Sequence, residues 1–440
     1  MRLITNIMVN FVKKYLPSPF VLAIILTIFV FLMGVIFNHS TPVQMTVYWG
    51  DGVFELLTFT MQMILLMITG YALATSKPFV KLLKKMCSIP NNPIQAIFFA
   101  SMITMILTYF NWGLGLICAG LIARELSIQL NGKGLHFPLL VASTYSSAMI
   151  IGIGSAATLI VATKGHFLEE IIGVVPLTDT VFRPWSVTVT LVLFFVIPLV
   201  YVFMRPPKGQ AFEPDPSVLD IEDEVATVSE AQKPVLSEKM EHSQIFTIVV
   251  ALLGGGYMIH YFITEGVNMS LNALIMLFIT LGMIAHRTPA QYMSAIQKAV
   301  TTTAGIALLF PFYSGIMGML TKSGMTEAIT NFWLSHATAE TLPLISFLSA
   351  GLVNIFIPSG GGQWIVQGPL MVPAALELGV EPAKVVLAVA WGDLWTNNIQ
   401  PFWILPILAI ARLGIRDVMG YCVVISLVMG ALLSVFFLFI

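Results

Sequence analysis

The chain has 440 residues, of which 57% are hydrophobic and only 10% are charged. Soluble domains carry about 25% charged residues, so this chain has too few polar residues to cover several water-soluble globules. The formal net charge of −1 gives no electrostatic reason to expect a nucleic-acid partner, and the three cysteines lack metal-ligand spacing. The composition instead predicts an all-α polytopic membrane protein whose solvent is the lipid bilayer.

Apolar segments long enough to cross a bilayer recur along the chain. About 20 apolar residues span a hydrocarbon core of about 30 Å. Arg2, Lys13 and Lys14 precede the first segment, and no small-residue cleavage site follows it, so we expect this segment to be retained. The predicted full spans are residues 20–37, 54–75, 186–203, 246–262, 271–285, 301–320 and 419–440.

Two further apolar stretches are interrupted near their middle. The first, 93–130, breaks at Asn111-Trp112-Gly113, and the second, 341–378, breaks at the segment from Pro358 to Gly362. A break at mid-depth strands backbone N–H and C=O groups unless protein or an aqueous cavity surrounds it. Both stretches are therefore predicted to be re-entrant hairpins, hairpin 1 and hairpin 2, whose tips meet inside the protein.

One long polar segment, 205–244, divides the chain. It contains four basic and nine acidic residues and five prolines, a composition that cannot bury enough surface to fold alone. We interpret it as a cytoplasmic linker. On either side, the order of span, amphipathic stretch, span, hairpin, interrupted helix and last span repeats at an offset of about 247 residues.

The repeat and the loop charges together predict an inverted-repeat transporter with two hairpins, two interrupted helices and about nine full spans. The first repeat covers 1–204, a connecting span covers 245–263, and the inverted second repeat covers 264–440. The loop 38–52 has no Lys or Arg, whereas its counterpart, 286–298, contains two basic residues. Because short cytoplasmic loops collect positive charge, this places the N-terminus in the cytoplasm and the C-terminus outside.

The glycine-rich tip of hairpin 2 is predicted to bind a small organic anion. Three glycines let backbone amides converge, and the helix beginning near Gln363 directs its positive end at the break. The alternative interpretation is a tight turn between packed helices, and the depth of the segment in the membrane favours binding. The predicted substrate-binding residues are Asn111, Trp112, Gly113, Ser359, Gly360, Gly361, Gly362, Gln363 and Trp364.

A second candidate cluster surrounds Asp393, the only acid between Val385 and Ala411. A carboxylate in a membrane segment usually faces a cavity, a cation or a proton path, although it could instead cap the helix break. Unwound carbonyl groups nearby would suit Na⁺, and we expect H⁺ or Na⁺ as the coupling ion and no other cofactor. The coupling-ion candidates are Asp393, Asn397, Asn398, Ser146 and Ser155.

No Lys or Arg lies at mid-membrane depth, so a monocarboxylate with a short apolar tail fits the tips better than a dicarboxylate, although the residues themselves predict only a small organic anion. A dicarboxylate or amino-acid carrier is the alternative within transport. A membrane-embedded enzyme is the alternative from another class, but the sequence lacks His-Glu-x-x-His and Gly-x-Ser-x-Gly motifs. Gln62 is expected to form a hydrogen bond between helices.

Three motifs resemble the AtoE family of bacterial short-chain fatty acid transporters: the segment from Pro358 to Pro369, Trp49-Gly50-Asp51-Gly52, and Ile399-Gln400-Pro401-Phe402-Trp403. The resemblance runs from the first span to the C-terminus. It implies uptake of acetoacetate- or butyrate-like acids across a bacterial inner membrane. It also implies kinship with the wider ion-transporter superfamily, whose hairpin tips hold substrate and cation and whose members are often homodimers. Many members carry Ser-Asn-Thr at the tip, where this chain has Ser359-Gly-Gly-Gly and Asn111-Trp-Gly.

Overall fold

The computed structural model describes residues 2–207, 209–214, 236–266, 270–301 and 303–440, and the regular structure in these ranges is entirely helical. The helices before the linker are α1 (Arg2–Tyr15), α2 (Pro19–Ile36), α3 (Pro42–Val53), α4 (Leu57–Ala74), α5 (Lys77–Cys87), α6 (Pro93–Phe110), α7 (Trp112–Gln129), α8 (Phe137–Ser147), α9 (Ala156–Val161), α10 (Glu169–Ile172), a 3-10 turn at Leu177–Asp179, and α11 (Pro184–Met204). Those that follow are α12 (Leu236–Glu241), α13 (Gln244–Glu265), α14 (Leu271–His286), α15 (Pro289–Val300), α16 (Ala304–Lys322), α17 (Met325–Leu334), α18 (Leu342–Asn354), α19 (Gly360–Glu377), α20 (Pro382–Asn397), α21 (Pro401–Ala411) and α22 (Ile415–Leu438).

The helices expected as full spans are all present. The helices α2, α4, α11, α13, α14, α16 and α22 occupy the predicted segments, with ends that differ by at most about four residues. Within the described ranges, seven helical segments are long and apolar enough to cross a membrane. The helix α6, predicted as a hairpin arm, is one of them, whereas α14, predicted as a full span, is shorter at 16 residues. The chain is therefore a multi-pass membrane protein.

The two hairpins and the two interrupted helices are also confirmed. Hairpin 1 consists of α6 and α7 with the break at Asn111, and hairpin 2 consists of α18 and α19 with the break at 355–359. The first interrupted helix, α8–α9, is unwound over 148–155, and the second, α20–α21, is unwound over 398–400.

The helix bounds repeat at the predicted offset of about 247 residues, which brings α3 onto α15 and α4 onto α16. The same capping sequence begins α3 and α15. The Thr41 hydroxyl accepts the N–H of Gln44 (3.2 Å), and the Thr288 hydroxyl accepts the N–H of Gln291 (3.4 Å). Such Ser/Thr caps satisfy amide groups that have no partner within their own helix. The inversion of the second copy across the membrane stays a prediction.

The first and second halves of the chain are in close contact where α3 crosses α16. A Cβ added to Gly318 would lie 2.6 Å from the Cα of Gly52, so this close approach of the two backbones requires glycine. Beside the crossing, the ammonium group of Lys322 lies 3.0 Å from a Glu55 oxygen and 3.5 Å from an Asp51 oxygen. Two acids of the first half thus pair with one base of the second.

Further polar contacts join the halves. Arg183, at the start of α11, forms an ion pair with Glu381, at the start of α20. Gln62 of α4 donates to the side-chain oxygen of Asn272 on α14 (2.8 Å), which confirms the predicted hydrogen bond between helices.

The first interrupted helix is tied at its start to the last span of the other half. His136 precedes α8, and its Nδ1 accepts the backbone N–H of Phe212 (2.8 Å). Its Nε2 therefore carries the proton and donates to the Tyr421 hydroxyl (2.8 Å). Burial, together with the positive charge of Lys13, lowers the pKa of His136 to about 4. Phe212 belongs to the predicted linker, whose residues 208 and 215–235 lie outside the described residues.

Candidate functional site

One cavity brings together the breaks that the sequence predicted. Its walls come from both hairpin tips, from both interrupted helices and from α4. The tips therefore meet in the interior, as expected.

Both hairpin tips are built in the same way. Asn111 is extended (φ −155°), and its side-chain oxygen accepts the N–H of Leu114 at 3.1 Å. Ser359 is extended (φ −143°), and its hydroxyl accepts the N–H of Gly362 at 3.3 Å. Each residue thus caps the second arm of its hairpin. The first amides of α7 and α19 have no acceptor within their own helix, so each helix presents a positive end at the tip.

Asp393 is the one titratable side chain among the described residues that line the cavity. It lies against the tip of hairpin 2, because a Cβ added to Gly360 would be 2.9 Å from its Oδ2 atom. Its Oδ1 atom accepts a hydrogen bond from the amide nitrogen of Asn397 at 3.4 Å. The carboxylate is therefore held beside the positive end of α19, a position that also favours a bound anion.

A buried amide network stands behind Asp393. The Asn354 amide nitrogen, at the end of α18, lies 2.9 Å from the Asp393 carbonyl oxygen and 2.7 Å from the side-chain oxygen of Asn397. The Gln400 amide nitrogen donates to the Asn354 carbonyl oxygen at 2.7 Å. From the first interrupted helix, the Tyr145 hydroxyl donates to the Asn397 carbonyl oxygen. The second break is thus fixed by side chains from three separate elements.

Aromatic rings form another part of the wall. Trp112 of hairpin 1 meets Trp403 of α21 edge to face, with ring centroids 5.3 Å apart. Phe59 of α4 meets Trp403 in the same way at 6.2 Å. All three residues line the cavity. An apolar wall near a polar tip suits a ligand that has a charged head and a short hydrocarbon tail.

The structure brings only part of the predicted site to the cavity. The predicted residues that line it are Trp112, Ser155, Ser359, Gly360, Gly361, Asp393 and Asn397. The others, which lie behind this surface, are Asn111, Gly113, Ser146, Gly362, Gln363, Trp364 and Asn398. A binding role for any of these residues stays a prediction.

The residues behind the surface make structural contacts. The Gln363 amide nitrogen donates to the Ala350 carbonyl oxygen and to Gln367, each at 2.8 Å, and so joins the two arms of hairpin 2. Ser146 shares a hydrogen bond with the Tyr201 hydroxyl (2.7 Å). The Asn398 amide nitrogen donates to the Trp395 carbonyl oxygen (3.1 Å).

Sequence reasoning missed Asn354, Phe59 and Trp403 as parts of the site. Asn354 is the only Asn in the apolar arm α18, and that isolation was a usable signal. Phe59 and Trp403 had none, because aromatic residues are common in apolar helices. Among the described residues, no group of three or more His, Cys, Asp or Glu could hold a metal ion.

Comparisons with known proteins agree with the membrane architecture. The family model described as "Short chain fatty acid transporter" matches residues 1–440. A protein of Escherichia coli (strain K12) is 38% identical over 98% of this chain and 97% of its own length, and its name is "Putative short-chain fatty acid transporter". A protein of the same name from Haemophilus influenzae is 36% identical over 95% of each chain.

Among solved structures, the Alcanivorax borkumensis YdaH transporter is 14% identical and has a TM-score of 0.39, covering 96% of this chain and 98% of that one. The family and these relatives are transporters rather than enzymes. The match of the family model over the whole chain and the identity to both relatives lead to one conclusion: the chain belongs to the short-chain fatty acid transporter family.

Proposed function

We propose that the chain is a proton symporter for short-chain monocarboxylates such as butyrate and acetoacetate. The observation that carries the proposal is the contact between Asp393 and Gly360 at the tip of hairpin 2. The Asp393 carboxylate thus lies beside the start of α19, where the positive end of that helix would attract the carboxylate of a substrate.

Two anions cannot share that place at low cost. Two unit charges 4 Å apart repel by about 4 kcal/mol at an effective dielectric constant of 20. No Lys, Arg or His is present among the described residues that line the cavity. A proton on Asp393 removes the repulsion and turns the carboxyl group into a hydrogen-bond donor. In this scheme the substrate and the proton bind together.

The surroundings of Asp393 favour a proton over Na⁺. Asn397 turns its amide nitrogen toward the carboxylate, and its oxygen already accepts from Asn354. Na⁺ is held by oxygen ligands, and this arrangement offers it few beside Asp393. The aromatic wall of Phe59, Trp112 and Trp403 favours a short apolar tail over the second carboxylate of a dicarboxylate.

The test is uptake of labelled butyrate and acetoacetate by purified protein in liposomes, under an inward proton gradient and separately under a Na⁺ gradient. Undissociated butyric acid crosses lipid unaided, so protein-free liposomes and competition by unlabelled substrate define the specific uptake. Saturable accumulation driven by protons supports the proposal. Accumulation driven only by Na⁺ would overturn the choice of ion, and no saturable uptake of either acid would overturn the substrate.

We further propose that the protein resides in a bacterial inner membrane, with a cytoplasmic N-terminus, an external C-terminus and inverted halves. Gln44 and Gln291 are both exposed and occupy matching positions in the caps of α3 and α15. In whole cells, an impermeant thiol reagent should label Gln44→Cys, whereas Gln291→Cys should react only after permeabilisation. Labelling of both from the same side would refute the inversion.

A further inference from the structure

Asn354 connects hairpin 2 to the helix that carries Asp393, although it lies outside the cavity surface. It is fully buried at the end of α18, and its amide nitrogen lies 2.7 to 2.9 Å from three oxygens of α20. One of the three is the backbone carbonyl oxygen of Asp393, which can only accept. This contact fixes which end of the Asn354 amide is the nitrogen.

The orientation of Asn354 determines that of Asn397. Because the Asn354 nitrogen donates to the Asn397 side-chain oxygen, the Asn397 nitrogen is left to face the carboxylate of Asp393. Hydrogen bonds therefore run in one direction, from hairpin 2 through Asn397 to Oδ1 of Asp393. The opposite side of the same carboxylate, Oδ2, lies against Gly360. The two arms of hairpin 2 thus contact one carboxylate, α19 directly at Gly360 and α18 through Asn354 and Asn397.

We propose that Asn354 is a positioning residue that links the protonation of Asp393 to the placement of hairpin 2. This inference rests on the proposed function, in which Asp393 carries the coupling proton. A displacement of hairpin 2 withdraws Asn354 and releases Asn397, so the carboxylate loses a donor that stabilises its ionised form. Protonation and hairpin movement then favour each other, as coupling requires.

Few other groups face this carboxylate. The neighbouring elements α18, α19 and α9 bring Asn354, Gly360 and Ala156 toward α20, and none of these is titratable. On the far side, α22 meets α20 through Ser426, whose carbonyl oxygen accepts from Trp395. The titratable group of the first interrupted helix is Tyr145, which contacts the Asn397 carbonyl oxygen.

The experiment compares butyrate binding across pH in purified full-length protein, measured as the rise in unfolding temperature at a fixed butyrate concentration. Asn354→Ala removes the donor to Asn397. Because Asn397 is then free to turn away from the Asp393 carboxylate, the half-maximal stabilisation should move to higher pH by about one unit, a tenfold change in apparent proton affinity. Asn354→Ser serves if the alanine variant does not fold, and the same direction is expected.

Ser346→Ala is the matched control. Ser346 is equally buried on the same helix, α18, but its hydroxyl donates to the Met371 sulfur within hairpin 2 rather than to α20. Its pH midpoint should stay that of the unsubstituted protein. In an Asn397→Ala background, Asn354→Ala should cause no further shift, because the intermediate donor is already gone.

The outcomes separate the two proposals. No stabilisation of the unsubstituted protein by butyrate at any pH would overturn the proposed function itself. If Asn354→Ala and Asn354→Ser leave the pH midpoint of the stabilisation unchanged, the role of Asn354 alone would be overturned. An equal shift in Ser346→Ala, or an undiminished shift in the Asn397→Ala background, would show a general loss of packing and would also overturn it.

Discussion

The two interrupted helices differ in how their breaks are held. In the first, the unwound residues 148–155 are fixed to hairpin 1 by backbone: Ile153 donates its N–H to the Tyr109 carbonyl oxygen at 2.8 Å, and Gly152 lies directly against the same residue. A side-chain bond, from the Gly152 N–H to the Ser155 hydroxyl (3.0 Å), lies within the break itself. In the second, the shorter break 398–400 is fixed by the side chains of Asn354, Gln400 and Tyr145.

The two repeats therefore differ in the chemistry of their breaks, although their helices follow the same order. A break held to its neighbour by backbone needs no polar side chain from another helix, so the first half can give the cavity an apolar face that includes Trp112. A break held by side-chain amides can carry an ionisable group, and the second half has Asp393 there. The repeat thus fixes where the breaks lie, and the local residues decide which break carries an ionisable group.

The largest expected effect comes from breaking the backbone contact of the first half. A Cβ at Gly152 would lie 2.6 Å from the Tyr109 oxygen and 2.9 Å from the Thr108 oxygen. Backbone atoms cannot yield as a flexible side chain does, so Gly152→Val should cost at least about 3 kcal/mol of folding free energy. The measurement is the yield of monodisperse protein and its unfolding temperature. Gly154→Ala, whose nearest neighbour would be 3.7 Å away, is the control and should fold normally.

The next effect falls on the side-chain break. Asp393→Asn removes the one titratable side chain among the described residues that line the cavity, while keeping the shape of the cavity. Accumulation of butyrate driven by an inward proton gradient should fall to the level of protein-free liposomes, while exchange of internal for external butyrate continues. Persistent gradient-driven accumulation would remove Asp393 from the mechanism.

A smaller effect is expected from adjacent glycines at the tip of hairpin 2. A Cβ at Gly360 would press on the Asp393 carboxylate at 2.9 Å, whereas one at Gly361 would meet only Ile160 at 3.9 Å. Overpacking of this kind costs about 1 to 3 kcal/mol, so Gly360→Ala should weaken butyrate binding about tenfold. Gly361→Ala should stay within about twofold of the unsubstituted protein. Equal affinities of the two variants would contradict the contact with Asp393.

The smallest effect concerns the starts of the interrupted helices, which His136 and Glu381 occupy. With the pKa of His136 lowered to about 4 from an ordinary value of 6.5, the unfolded chain binds the proton first as pH falls. The contribution of neutral His136 to stability is therefore complete above pH 6.5 and is lost progressively toward pH 4. Unfolding temperatures measured across this range should fall less steeply in His136→Phe.

The ion pair of Arg183 and Glu381 should instead weaken with added salt.

Features that depend on residues adjacent in the chain could be predicted from the sequence. Asn111-Trp112-Gly113 and the glycine triplet after Ser359 are local breaks, and Asp393 stands alone among apolar residues, so all were predictable. The contact of Asn354 with Asn397, and the wall made by Phe59 and Trp403, depend on how distant helices pack. In lipid, both faces of a helix can be apolar, so periodicity could not show that Gln363 faces the other hairpin arm rather than the cavity.

The crossing of α3 and α16 has a consequence for biosynthesis. A ribosome makes Asp51 and Glu55 long before it makes Lys322, and Gly52 is in the nascent chain before the Gly318 surface that covers it exists. The helices of the first half therefore enter the membrane before Lys322 can pair with the two acids and before α16 covers this face of α3. Assembly is completed only when the second half is inserted, so truncated chains that end at the linker should be targets for membrane quality control.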